Sequence, residues 1–276
     1  MAEKKMKLGL IIGVDGEKDL DISFQQIKDV NVPTCQISCS AEAMAGRLNS
    51  AEVRNKAAKM GLEISSFFLV FEGQMYDNKN GPATMGFVPL EFRKKRMDLA
   101  KKYSDMVRDM GVKSITSHVG FIPRDPKDPL YKSFIPVMRE FILHCKKNKQ
   151  MFCFETGQEL PSVLLRTIKD LDCDNVGINL DPANLVLYGM ANPIDAVQIF
   201  GKYVKGFHAK DGVWPNRDES LGHETALGEG MVDFKYILPE LKKMGFKGPV
   251  TIEREITGPQ QKEDILKAIK LLSPYL

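Results

Sequence analysis

The stretch Met151–Asp181, "MFCFETGQELPSVLLRTIKDLDCDNVGINLD", reads as a strand, a helix and a second strand. "MFCFET" (151–156) is an apolar run of strand length. "LPSVLLRTIKDL" has helical spacing behind a proline start, and "VGINLD" (176–181) is apolar again. Each strand closes on a carboxylate, Glu155 in the first and Asp181 in the second. A unit of this kind belongs in a parallel sheet, whose strands are covered on both faces. The fold then turns on how often the unit repeats.

Outward from this unit the same alternation runs along the chain. "LGLIIGV" (8–14), "TCQIS" (34–38), "EISSFFLVF" (63–71), "VKSITSHVG" (112–120), "VKGFHAK" (204–210) and "PVTIERE" (249–255) are the other strand-length apolar runs, which brings the count to eight. Helical segments such as "SAEAMAGRLNSAEVRNKAAKMG" and "PQQKEDILKAIKLLS" separate them, with Ser, Asp or Pro at their starts and "MG" or lysine clusters at their ends. Eight strand–helix pairs with no Pro/Gly/Ser-rich linker predict an α/β protein, a single (β/α)8 TIM barrel over residues 1–276. A doubly wound open sheet is the alternative, but "GVDGEKD" after the first strand is no glycine-rich phosphate loop. Two long loops, "EGQMYDNKNGPATMGFV" and "DGVWPNRDESLGHETALGEGMV", follow the third and seventh strands and would lie on the active face.

The totals exclude several function classes. Of 276 residues, 39 are basic and 36 acidic, so the net charge of +3 offers no basic surface for nucleic acid, and "RKKR" (Arg93–Arg96) reads as a solvated helix face. No run approaches the roughly 18 apolar residues of a membrane span. The five scattered cysteines suit free buried thiols in a reducing, cytoplasmic compartment.

In a barrel the C-terminal strand ends converge on one catalytic face. Strand five ends in Glu155, six in Asp181, seven in His208, and eight in Glu253 with Glu255. Alone, each reads as a helix cap, a turn residue or a core histidine. Together, carboxylates and one imidazole on four successive strands form a donor set for one divalent metal ion, Mn2+, Mg2+, Co2+ or Zn2+.

"FETGQE", "NLDPAN", "GFHAKD", "ALGEGMVDF" and "KKMGFKGPVTIEREITG", in that order, resemble the sugar phosphate isomerase/epimerase family, which has a xylose isomerase-like TIM barrel. The resemblance is densest from Glu155 onward. It implies that Glu155, Asp181, His208 and Glu253 hold the metal, with Glu155 and Glu253 as the catalytic pair flanking a sugar or sugar derivative. In the ketose 3-epimerases of this family two such glutamates exchange a proton with opposite faces of an enediolate; other members isomerise aldose to ketose. A dehydratase acting on a keto-inositol-like substrate is the nearest alternative. An abasic-site endonuclease, which needs a histidine-rich metal cluster, and a non-catalytic sugar-binding barrel stand further off. The resemblance also leaves room for a homo-oligomer.

Around this set stand substrate-binding candidates. Asn184 takes the place of a histidine that many epimerases carry, and Lys210 is the nearest cation where they carry an arginine. Lys210 either meets substrate or pairs with Asp211. His118 either binds substrate or bonds a backbone carbonyl, and Glu255 rivals Glu253 as the eighth-strand ligand because it shares its strand face. Arg254 between them faces the helices. Gln158 and Glu159 read as caps of the following helix, and His223, Glu229 and Trp214 as residues of a solvated loop or a lid.

Overall fold

Eight parallel strands close into a barrel in the computed structural model, which describes residues 6–216 and 221–276. They are β1 (Lys7–Gly13), β2 (Thr34–Ser40), β3 (Glu63–Val70), β4 (Ser114–Ser117), β5 (Met151–Glu155), β6 (Val176–Leu180), β7 (Val204–Ala209) and, last in the chain, β10 (Pro249–Ile252). Each pairs with its sequence neighbour in the barrel, and β10 returns to β1 from Lys7↔Pro249 to Leu10↔Ile252. The eight strands lie where the apolar runs place them. One addition appears in the loop after β7, where β8 (Asp211–Val213) and β9 (His223–Thr225) form an antiparallel ribbon. Strands of three residues are too short to show a period in sequence; positions 217–220 of that loop lie outside the described residues.

The period of two divides each strand between helix layer and barrel interior. On β5, Phe152 turns outward and meets Phe141 of the helix Pro129–Lys147 at 5.4 Å between ring centroids. On β7, Phe207 turns outward to Phe234 of the helix Phe234–Lys243 at 6.4 Å. Burying a phenylalanine contributes about 2–3 kcal/mol. The alternate residues face inward, and there the barrel is polar: Gln36, Ser66, Thr116, Asn179 and His208 are all buried.

The sequence reading of "RKKR" needs correction. Arg93 and Arg96 are only 7% and 4% exposed. Arg93 donates to the carbonyls of Phe87 and Val88 at 2.8 and 2.5 Å, and Arg96 donates to that of Gly86 at 2.7 Å. Loop carbonyls have no strand partner, so a guanidinium with several donors satisfies them at once. Arg96 also lies over the rings of Phe71 and Phe92. Gly86 (φ 64°) allows the close approach, because a Cβ there would meet the carbonyl carbon of Val119 at 2.1 Å. These bonds fix the loop after β3 across the top of the barrel.

The cysteines are free, as the scattered pattern predicts. Cys35, Cys39, Cys145 and Cys153 are buried and Cys173 is half-buried. Burial pushes the first four thiols up to about 12 or beyond. Titration of the native protein with a thiol reagent should therefore give one fast equivalent, from Cys173, and five after denaturation. Two or more fast equivalents would contradict this packing. Among the described residues no helix is long and apolar enough to cross a membrane.

Candidate active site

The inward period of two brings the polar strand ends to one place. Glu155 closes β5, Asp181 and Glu253 directly follow β6 and β10, and His208 is the penultimate residue of β7. One donor atom each from Glu155, Asp181 and His208 lies within 4.8 Å of the other two. His208 Nδ1 is 3.0 Å from Glu155 Oε1, 2.9 Å from Glu253 Oε2 and 3.9 Å from Asp181 Oδ2. These contacts are close without being aligned as hydrogen bonds: Glu155 Oε1, Asp181 Oδ2 and His208 Nδ1 are buried and have no hydrogen-bond partner. Buried polar atoms are almost always satisfied, so three orphans close together form a group that could hold a cation. Glu253 touches His208 but stands outside that group of three.

The remaining atoms of the three residues are each fixed by the protein. Asp181 Oδ1 accepts from the backbone N–H of Asn184 and caps the helix Pro182–Leu187. Cap and donor are thus the two oxygens of one carboxylate. Glu155 Oε2 accepts from Asn179 Nδ2 at 2.6 Å. His208 Nε2 lies 2.5 Å from Gln36 Oε1, an acceptor, so Nε2 carries a proton and Nδ1 is the ring nitrogen turned to the carboxylates. Gln36 is held in turn by Thr116, which meets Ser66.

The charges are strongly coupled. Burial pushes the Glu155 carboxyl up against the pull of His208, and burial also pushes Asp181 well up against the pull of Lys210. Burial acts on Glu253 in the same sense, but Lys210 and His208 overcome it and hold that carboxyl below the usual range. The imidazole of His208 is held up by Glu155 and Glu253 despite its burial.

Lys210 does not pair with Asp211. Its Nζ lies 2.8 Å from Glu255, 3.9 Å from Glu253, 4.0 Å from Asp181 and 3.5 Å from Asn184 Oδ1. Asp211 turns the other way, as alternation requires, and accepts backbone N–H bonds from Gly212, Gly228, Gly230 and Val232 at 2.8–3.0 Å. Glu255 is at the rim with a 59% exposed side chain, so among the two glutamates Glu253 is the one beside His208. Arg254 faces the helices and pairs with Asp264 of the helix Pro259–Leu272 and with Glu224 of β9.

Above these groups opens a cavity of about 320 Å³. Glu155, Glu253, Glu255, Lys210, Asn184, His118 and Ser38 belong to its polar lining. His118 does not bond a backbone carbonyl: its Nδ1 meets Gln158 Oε1 at 3.1 Å, and its ring lies edge-on between Phe68 and Tyr76. Burial pushes its imidazole down to about 4, which keeps it neutral. Gln158 therefore holds His118 and is not a cap. The helix Pro161–Leu171 has no side-chain cap, and Glu159 is buried, with its carboxyl pushed up to about 8 by burial and then by Glu155. Trp214, His223 and Glu229 are not among the lining residues, whereas Tyr76, Tyr188 and Leu221 are.

Sequence reading also missed Gln36 and Asn179. Their signal is a single amide at an inward position of an apolar strand, with Asn179 two residues before Asp181 on the same face. Removal of such an outer partner weakens metal sites by about 10–100-fold. Gln36→Leu should therefore lower divalent-ion affinity by about tenfold in calorimetric titration while leaving folding intact. Unchanged affinity would remove Gln36 from the site.

The model of the family described as xylose isomerase-like TIM barrel matches residues 24–275. A xylose isomerase domain protein of Planctomyces limnophilus is 34% identical, with a TM-score of 0.89 over 98% of this chain and 97% of that one. The structure of an L-ribulose 3-epimerase superposes with a TM-score of 0.76 over 98% of this chain and 94% of that one; at 12% identity the likeness is one of fold. An uncharacterized protein of Methanocaldococcus jannaschii is 31% identical over 119 residues, which span 42% of this chain and 36% of that protein.

Proposed function

Since the chain belongs to the xylose isomerase-like TIM barrel family, we propose that it is a divalent-metal-dependent isomerase or epimerase of a sugar or sugar derivative. The observation that carries the reading is the orphaned trio, Glu155 Oε1, Asp181 Oδ2 and His208 Nδ1, at the floor of the cavity. Carboxylates with one imidazole suit Mn2+, Mg2+, Co2+ or Zn2+. Glu253 would complete the set as its fourth member. A bound divalent ion would polarise a carbonyl and the adjacent hydroxyl, lowering the cost of removing the proton from the carbon between them.

The protein's own groups do the rest. Asn179 holds Glu155 Oε2 in place, and the carboxylate lines the cavity, where it would take or return a proton beside the ion's place. Glu253 comes from β10, separated from β5 in the barrel by β6 and β7, so the two carboxylates reach a substrate from different sides. A proton removed by one and replaced by the other inverts the carbon; a proton returned to the neighbouring carbon isomerises the substrate. Neutral His118, fixed through Gln158, and the Lys210 ammonium would bind substrate oxygens, with Asn184 and Glu255 beside them. The L-ribulose 3-epimerase built on the same fold is a precedent for such chemistry in this barrel.

Incubating the metal-loaded protein with keto-sugars in deuterated water tests the reading. Uptake of solvent deuterium without loss of water is expected. Release of water instead would identify the dehydratase, and no exchange with any keto-sugar or metal would end the proposal.

A further inference from the structure

We infer that the site takes an uncharged polyhydroxy carbonyl compound, a free keto-sugar or keto-polyol, and turns away phosphate esters and sugar acids. The inference rests on the reading of the site as a centre of carbon–proton transfer, and it names the class of molecule that enters.

The first support is charge. Glu155, Glu253 and Glu255 line the cavity and Asp181 lies against them, while Lys210 is the one ammonium among the described lining residues. Four carboxylates facing one ammonium leave a negative excess even with a divalent ion present. Lys210 is also engaged already: it pairs with Glu255 at 2.8 Å and has Glu253 and Asp181 at 3.9 and 4.0 Å. A substrate hydroxyl can share such an ammonium, but a phosphate would compete with three fixed carboxylates for it.

The second support is independent of charge counting. Barrels of this architecture commonly seat phosphate on backbone N–H groups of the loops after the seventh and eighth barrel strands. Here the chain's own carboxylates occupy those donors. The N–H groups of Gly212, Gly228, Gly230 and Val232, all after β7, converge on Asp211. After β10, the N–H of Glu255 donates to Glu224 at 3.1 Å. Apart from Ser38, the remaining wall is apolar or aromatic, with Phe68, Val70, Tyr76, Leu187 and Tyr188 among it, and suits the C–H faces of a sugar.

The test titrates the Mn2+-loaded protein by calorimetry with free ketopentoses, ketohexoses and keto-inositols and with their phosphate esters, and incubates each in deuterated water. At least one free compound should bind, its ester about tenfold more weakly, and millimolar inorganic phosphate should not displace it. Glu255→Gln, which removes one carboxylate and releases Lys210, should narrow the ratio about threefold. An ester that binds as tightly as its parent overturns the inference, as does an unchanged ratio in Glu255→Gln; binding by neither class overturns it as well. Deuterium uptake from a tightly bound ester would sink the inference while leaving the proton-transfer reading intact. A bound free sugar that takes up no deuterium would do the reverse.

Discussion

Glu253→Gln is expected to lower deuterium exchange into substrate by about 10³-fold while the divalent ion is still bound, whereas Asp181→Ala is expected to lose both. The contrast follows from the geometry. Asp181 Oδ2 belongs to the trio of orphaned donors, together with Glu155 and His208. Removing one of three close donors leaves a site that Lys210, 4.0 Å away, opposes by its charge. Glu253 stands outside the trio, so its amide leaves the closest donors in place but cannot accept a proton. Calorimetric titration with Mn2+ reads the ion, and deuterium uptake reads the chemistry. Glu253→Gln with unchanged exchange would exclude Glu253 as a proton carrier. Asp181→Ala with undiminished metal affinity would show that the trio holds no ion.

What sequence could reveal here was set by whether a partner is local or distant. The strands were legible because their apolar runs exceed the length at which a period shows, and Glu155, Asp181 and His208 because each ends one. Gln36 was not, since its partner His208 lies 172 positions away and one amide in "TCQIS" carries no spacing signal. "RKKR" misled because charge pattern alone cannot distinguish a solvated arginine from one that satisfies loop carbonyls. Gln158 misled in the same way: a polar residue ahead of a helix reads as a cap until the fold shows His118 opposite it. For Lys210 and Asp211 the alternation of the strand decided between the two readings, sending neighbouring charges to opposite faces.

Asp211→Ala is expected to cost about 3–5 kcal/mol of stability, the largest effect of any single polar substitution proposed for this chain. Asp211 is fully buried, and its two oxygens accept four backbone N–H bonds. Those donors come from both ends of the loop after β7, so one carboxylate ties the two ends together. The approach is close enough that a Cβ on Gly230 would lie 2.2 Å from Asp211 Oδ1. Truncation leaves buried N–H groups without acceptors, and the penalty is their desolvation more than the lost attraction. Asp128 provides the scale: it caps its helix through one N–H bond to Leu130, and Asp128→Ala should cost about 1 kcal/mol. Urea unfolding of both variants measures the difference, with the midpoint of Asp211→Ala falling several times further. Equal midpoints would mean that the loop after β7 closes without its buried carboxylate.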